Sequence, residues 1–313
     1  MRMGAEVKPV WIVNDVPTCI PGTKTLWHNL LEWIPGAEWA SSGNFATLSG
    51  YITTCVIATH EKPGLIIRNA SYFPHVETDI PQVAILQDIF PPGPARDMQV
   101  AVCRKSVAVV VNSPYTAAQY PELDATRLRV IPLPVDFDVF RPMPEVEKVS
   151  DVCWIGARSH IKGFDIVSEL IKTSDLTFTI VTKDQTVGES HERVRWISRV
   201  PHAELPAVIN SCRIGLCTSR QETQHLAGIE MGACGLPMVA PNVGAYFGQD
   251  AAPPWGIRVT APSRESFSVA VGDALRRRSS QLGVADVRGY WQERYAPSIC
   301  RESWLKLVAE VVA

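Results

Sequence analysis

Short apolar runs alternate along this chain with stretches whose apolar positions recur at helical spacing. That alternation predicts parallel strands flanked by helices, because a strand buried on both faces reads as a near-continuous apolar run. Strands are expected at 10–13, 53–58, 65–68, 83–86, 108–112 and 128–132, with a helix at 24–33 after the Pro/Gly-rich stretch VPTCIPGT. A second series follows, with strands at 152–155, 177–182, 194–196, 214–217 and 237–240 and helices at 164–172 and 203–211. Between the two series, PLPVDFDVFRPMP (132–144) is proline-rich and lacks a helical period, which marks a domain boundary. The expected fold class is α/β, with two Rossmann-like halves and ligands beyond the carboxyl ends of the strands.

The 313 residues, 46% hydrophobic and 20% charged, suffice for two cores of ordinary size. A formal charge of -2 argues against a general nucleic-acid binder, and the run Arg276-Arg277-Arg278 reads as a solvated helix face. Eight cysteines are scattered without a C-x-x-C pair, which suits buried free thiols in a reducing compartment better than zinc or a disulfide framework. With no signal-like lead and no apolar run of membrane-spanning length, a cytoplasmic location is expected.

Chemistry concentrates in three stretches. GARSHIKG (156–163) follows a strand. Gly156 permits close backbone approach, and Arg158 and Lys162 bring positive charge to a helix start, a fit for a diphosphate. It is not a P-loop, since the G-K-[ST] order is absent, and a plain surface loop is the alternative. SRQETQHLAGIEMGACGLPMVAPN (219–242) carries Glu222 and Glu230. Eight helical positions rotate by about 80° in total, so two helical glutamates would not share a face. Glu222 is therefore placed in the loop and Glu230 about a turn inside the next helix. Carboxylates accept paired hydrogen bonds, so Glu230 suits a ribose diol and Glu222 a sugar hydroxyl, while the N–H groups at the helix start suit a phosphate. Two surface glutamates are the plainer alternative. The third stretch, Gly22-Thr23-Lys24, could bring backbone N–H groups to a donor or simply cap a helix.

Other features carry less. Asp136-Phe137-Asp138 imitates a cation-binding D-x-D, but its proline-rich setting favours a structural role. His60, His75 and His225 have no visible carboxylate partner in the sequence. Trp27, Trp33, Trp39, Tyr51, Tyr72 and Phe73 read as packing, with stacking on a sugar as the alternative. Lys24 and Trp27 open an amphipathic stretch that suits peripheral membrane contact.

Taken together, VVNSPYTAAQY (110–120), RLRVIPLPVDFDVFRP (127–142), WIGARSHIKGFD (154–165), VPHAELPAVINSCRIGLCTS (200–219) and ETQHLAGIEMGACGLPMVAPNVG (222–244) resemble the retaining glycosyltransferases of family 4. Order and spacing match from about residue 105 to 245, residues 290–312 resemble the family's last helices, and the first hundred residues match only in layout. The resemblance implies a GT-B fold. It has an N-terminal acceptor domain over 1–140, a nucleotide-sugar domain over 141–285, and helices over 286–313 that pack back on the N-terminal domain. It also implies roles: Lys162, Arg158 and Glu222 in catalysis, with Lys162 on the donor diphosphate and Glu222 on the transferred sugar. Glu230 would hold the ribose, backbone groups of Leu226, Ala227 and Gly228 the phosphate, and Gly22 and Gly156 would line the donor site. Gln87, Asp88 and His225 would contact acceptor or sugar.

Three departures stand out. Ala157 occupies the place where the family usually has an arginine, Glu222-Thr223-Gln224-His225 replaces its glycine-containing loop, and Gln87 stands where a sugar-contacting histidine is usual. The implied function is metal-independent transfer, with retention, of a sugar from a nucleoside diphosphate sugar to a hydroxyl acceptor. No cofactor is expected beyond that donor substrate. The alternatives are a non-catalytic nucleotide-sugar-binding module, an epimerase or phosphorylase on the same architecture, and a transferase acting on modified DNA. The net charge weighs against the last.

Overall fold

A computed structural model describes residues 8–13, 21–40, 45–47, 54–57, 62–71, 75–184, 191–248, 254–280 and 283–313. The chain divides into two compact units, Met1–Leu133 with Cys300–Ala313, and Pro134–Ile299. The division at residue 133 falls inside the proline-rich stretch.

In the first unit the elements run β1 (Val10–Val13), α1 (Pro21–Trp33), β2 (Ala37–Trp39), β3 (Phe45–Thr47), β4 (Thr54–Ile57), β5 (Leu65–Asn69), β6 (His75–Glu77), β7 (Gln82–Leu86), α2 (Pro94–Lys105), β8 (Ala108–Val111), α3 (Pro114–Ala118) and β9 (Leu128–Val130). Six of these strands form a parallel sheet in the order β2-β1-β5-β7-β8-β9. β1, β5, β7 and β8 are buried along their whole length, which is why they read as mainly apolar runs, with Arg68, Asn69 and Gln82 as buried polar exceptions at strand ends. β3, β4 and β6 make a small mixed sheet beside it.

The second unit contains β10 (Ser150–Ile155), α4 (Phe164–Thr173), β11 (Phe178–Thr182), β12 (Val194–Ser198), α5 (Leu205–Asn210), β13 (Cys212–Leu216), α6 (Leu226–Ala233), β14 (Met238–Pro241), β15 (Gly256–Val259), α7 (Arg264–Ser280) and α8 (Val284–Tyr295). α9 (Pro297–Val312) begins there, and from Cys300 onward the chain counts with the first unit. α8 stays in the second unit, where Trp291 is fully buried against Tyr246 and Trp255. The second sheet is also parallel throughout, in the order β12-β11-β10-β13-β14-β15.

Alternate residues of its strands face two separate cores. Val152, Trp154, Ile214 and Leu216 pack with Val167, Leu170, Phe267 and Val271 from α4 and α7. Cys153, Met238 and Ala240 pack with Ile209, Ile229, Met231 and Trp291 from α5, α6 and α8. Cys103, Cys153, Cys212, Cys217, Cys234 and Cys300 are buried and free. Among the described residues, no helix is long and apolar enough to cross a membrane.

Candidate functional site

In the second sheet, strand order reverses between β10 and β13. In an open parallel sheet the crevice beyond the carboxyl ends at such a reversal is where ligands bind. Trp154 of β10 sits in register with Leu216 of β13, so loops 156–163 and 217–225 leave the sheet side by side. Thr218 ties them together: its hydroxyl donates to the Lys162 carbonyl at 2.8 Å and accepts from Trp154 Nε1 at 3.1 Å. Arg220 adds an N–H to the Ile161 carbonyl and a two-pronged pair with Asp165 at 2.7 and 2.8 Å. Gly163, at φ +67, lies so close that a Cβ would stand 2.0 Å from the Thr218 carbonyl oxygen. Only glycine fits that crossing.

The two loops bring Lys162 and Glu222 together across 60 residues of sequence: Lys162 Nζ donates to Glu222 Oε1 at 2.6 Å. Ser219 Oγ donates to the same oxygen at 2.7 Å. Glu222 is 8% exposed. Burial alone would push its carboxyl up, but His225 when charged, Lys162 and the Ser219 hydroxyl outweigh burial and hold it below the usual carboxylate range. Burial depresses His225 to about 4 despite the adjacent Glu222. At neutral pH the imidazole is neutral, and the Lys162 ammonium and the Ser219 hydroxyl are the groups bonded to the Glu222 carboxylate.

His225 precedes α6 in the left-handed region, at φ 70. This is the position where the sequence departs from a glycine-containing loop, and the strained backbone costs about 1–2 kcal/mol for a residue bearing a Cβ. The ring is held from below, with Nδ1 2.7 Å from the Tyr246 hydroxyl. Gly228 makes room for that pair, since a Cβ there would meet the Tyr246 hydroxyl oxygen at 1.6 Å and His225 Nδ1 at 2.4 Å. Cys217 lies behind it, its thiol pushed up to about 12 chiefly by burial and next by Glu222. Donor atoms of Cys217, Glu222 and His225 all lie within 4.8 Å of one another.

The remaining expected residues take up varied positions. Arg158 lays its guanidinium over Phe164, 4.7 Å from the ring centroid, and Trp196, 5.3 Å away, while its own N–H donates to Asp184 Oδ2. That stacked arrangement differs from a side chain extended toward a diphosphate. Gly156 approaches Trp154, where a Cβ would come within 3.0 Å of the indole. Glu230 sits in the second turn of α6, with His202 Nε2 3.6 Å from its Oε1. Of the amides at the start of α6, that of Gly228 is already bonded to the His225 carbonyl at 3.0 Å. Among the described residues, those of Leu226 and Ala227 have no backbone acceptor.

In the first unit, Gln87 and Asp88 follow β7. The Asp88 carbonyl lies 2.9 Å from the Tyr120 hydroxyl, and Gln87 Nε2 is buried with no hydrogen-bond partner among the described residues. Gly22 lies in the first turn of α1. The loop before it, like His60, Tyr51, Tyr72 and Phe73, lies outside the described residues. Asp136 Oδ1 accepts the N–H groups of Asp138 and Val139, the local turn role that its setting suggested. His75 does have an acidic neighbour, Glu77 at 3.7 Å, because alternate strand residues share a face.

Sequence reasoning passed over Ser219, Tyr246, His202 and Cys217 as site residues. Ser219 stands three residues before Glu222 and could have been found as a loop hydroxyl. The others are brought in by the fold alone.

Residues 151–276 match the family model described as Glycosyl transferases group 1. No curated protein matches the chain. Among solved structures, HepE of Anabaena in complex with UDP superposes with a TM-score of 0.73 at 15% identity, over 96% of this chain and 100% of that one. Sucrose-phosphate synthase from Thermosynechococcus elongatus gives 0.72 at 13% identity, over 97% and 99%. A glycosyltransferase from Rickettsia africae gives 0.68 at 12% identity, over 98% and 99%. At these identities the likeness is one of fold, and with its two parallel six-stranded sheets this chain has the GT-B glycosyltransferase architecture.

Proposed function

We propose that the protein is a retaining glycosyltransferase of family 4 that moves a sugar from a nucleoside diphosphate sugar to a hydroxyl acceptor without a metal. The observation that carries this reading is the Lys162–Glu222 contact at the strand-order reversal, directly before the N-terminus of α6. It offers a cation for a phosphate, an ionised carboxylate for sugar hydroxyls and amides for an anion in one crevice. Glu230, one turn into α6, offers acceptors for a ribose diol.

As the glycosidic bond breaks, charge grows on the departing β-phosphate, and Lys162 with the amides of Leu226 and Ala227 would stabilise it. Binding of the donor would draw Lys162 from Glu222 toward phosphate, freeing the carboxylate for the sugar. The departing phosphate oxygen would then take the acceptor's proton on the same face. Gln87 and Asp88, at the end of β7, would be acceptor contacts. Free buried thiols fit a reducing compartment such as the cytoplasm. UDP sugars are the first donors to try, since HepE was solved with UDP-glucose and the pneumococcal O-GlcNAc transferase GtfA with UDP and GlcNAc.

A second reading, a nucleotide-sugar-binding module that no longer catalyses, draws on the stacking of Arg158 over Phe164 and Trp196. Thermal stabilisation by UDP, GDP, ADP and dTDP and their sugars, in wild type, Glu230→Ala and Lys162→Ala, tests both. A ligand at 100 times its Kd adds about 2.7 kcal/mol. A shift with one nucleotide that both variants lose supports the donor site, and turnover with retained anomeric configuration separates transferase from module. A folded protein that no nucleotide stabilises would sink both readings.

A further inference from the structure

The thiol of Cys217 has no part in the proposed transfer, yet it and the imidazole of His225 converge on its carboxylate. We propose that Cys217, Glu222 and His225 form a binding site for a thiophilic divalent cation of the zinc type, and that its occupancy is exclusive with the Lys162–Glu222 pair. The cation would thus be an antagonist of the donor site rather than a cofactor. The metal site itself does not rest on the transferase reading; only this consequence does.

The donor set decides the class of metal. A thiolate, an imidazole and a carboxylate suit zinc or cobalt, whereas magnesium and calcium take oxygen ligands almost exclusively. Ligand atoms on a tetrahedral zinc stand about 3.5 Å apart, so a cluster spanning no more than 4.8 Å needs only a modest inward shift of side chains. His225 is already oriented: the Tyr246 hydroxyl on Nδ1 fixes the ring, as outer partners do for metal-bound histidines. Ser219, 2.7 Å from Glu222, is at hand as a neighbouring hydroxyl.

Lys162 occupies the position of counter-cation, with its ammonium on Oε1 of the carboxylate that a metal would bind. Its side chain is 33% exposed, against 9% for that of Glu222, so it can swing outward while the carboxylate stays. The exchange balances: the metal–sulfur bond forms as the Cys217 S–H proton passes to solvent, and Lys162 leaves as a hydrated ammonium. No oxidation is involved.

The test uses the full-length protein without nucleotide, titrated with Co2+ and followed by absorption. A thiolate-to-cobalt charge-transfer band saturating at one equivalent is expected, lost in Cys217→Ser and in His225→Asn, which keeps a residue tolerant of the left-handed backbone. Lys162→Ala should bind Co2+ at least about tenfold more tightly, because it leaves Glu222 buried without a counter-charge. Circular dichroism confirms that each variant folds. No band in wild type overturns the proposal, as does a band that Cys217→Ser keeps, which would place the metal on other thiols. Equal affinity in Lys162→Ala would overturn the exclusivity.

Discussion

The two sheets of this protein share a parallel, six-stranded plan but reverse strand order at different places. In the second sheet the reversal lies between β10 and β13, the first and fourth strands of that unit, and the loops that leave there carry Lys162 and Glu222. In the first sheet it lies between β1 and β5. The first unit also has a cation–carboxylate pair, Arg96 with Glu122 at 2.7 Å, and a polar chain of Tyr120, Gln99 and Ser71. That chain, however, ties α2 to neighbouring loops and closes on itself. On the proposed function, the same types of interaction do different work. At a strand-order reversal, an ion pair leaves a group that a ligand can recruit, whereas behind a helix it is a fastener.

Substitutions can break this contrast, and the largest effect is expected at the loop crossing. Gly163→Ala should cost about 2–4 kcal/mol, from a left-handed backbone and a clash with Thr218. In the first unit, a Cβ added at Gly93, where φ is +144, would meet nothing within 4 Å. Its alanine variant should therefore show only the strain of that glycine-only extended backbone, about 1–3 kcal/mol. Denaturant midpoints at unchanged m-value compare the two.

Next come the two ion pairs. Lys162→Ala should weaken nucleotide-sugar binding at least about 30-fold by calorimetry, the loss expected when one partner of a hydrogen-bonded charge contact is truncated. Arg96→Ala should instead lower stability by about 1–2 kcal/mol and leave that affinity within about twofold. Equal effects on binding would erase the distinction drawn between the units.

Tyr246→Phe removes one buried hydrogen bond to His225 and should cost about 1 kcal/mol, with a further loss of donor affinity only if the ring shifts. The smallest effect belongs to His202. Glu230 raises its pKa above 6.5, against a lesser burial penalty. The folded form thus holds the proton more tightly than the unfolded chain, so the stabilisation is fully present below pH 6.5 and is lost as pH rises through the raised value. The side chain is 66% exposed, so the difference between wild type and His202→Gln should stay below about 1 kcal/mol in acid and vanish in alkali. A difference that grows with pH would refute the pairing.

Much of the fold is legible because the strands that matter are buried on both faces. The runs at 10–13, 65–68, 83–86 and 108–112 coincide with β1, β5, β7 and β8 to within a residue at each end. β2, β6 and β15 are short and only partly buried, so they leave no continuous apolar run to find. For the site, sequence placed Glu222 in a loop and Glu230 inside a helix, as the structure has them, because turn and helix periods are local properties. Non-local pairings were out of reach. No spacing rule links Lys162 to a carboxylate 60 residues away. Nor does any say that Arg158 rests on Phe164 and Trp196, that Tyr246 reaches under α6 to His225, or that His202 faces Glu230.

The buried cysteines give this protein a clock. Cys103, Cys153, Cys212, Cys217, Cys234 and Cys300 are all at most 2% exposed, and they are spread over both units. A thiol reagent can modify them only when the surrounding structure opens, so the rate at which each is alkylated measures the opening free energy of its own neighbourhood. Peptide mapping of a timed alkylation would then show whether the two units open together or in turn, with no engineered cysteine needed.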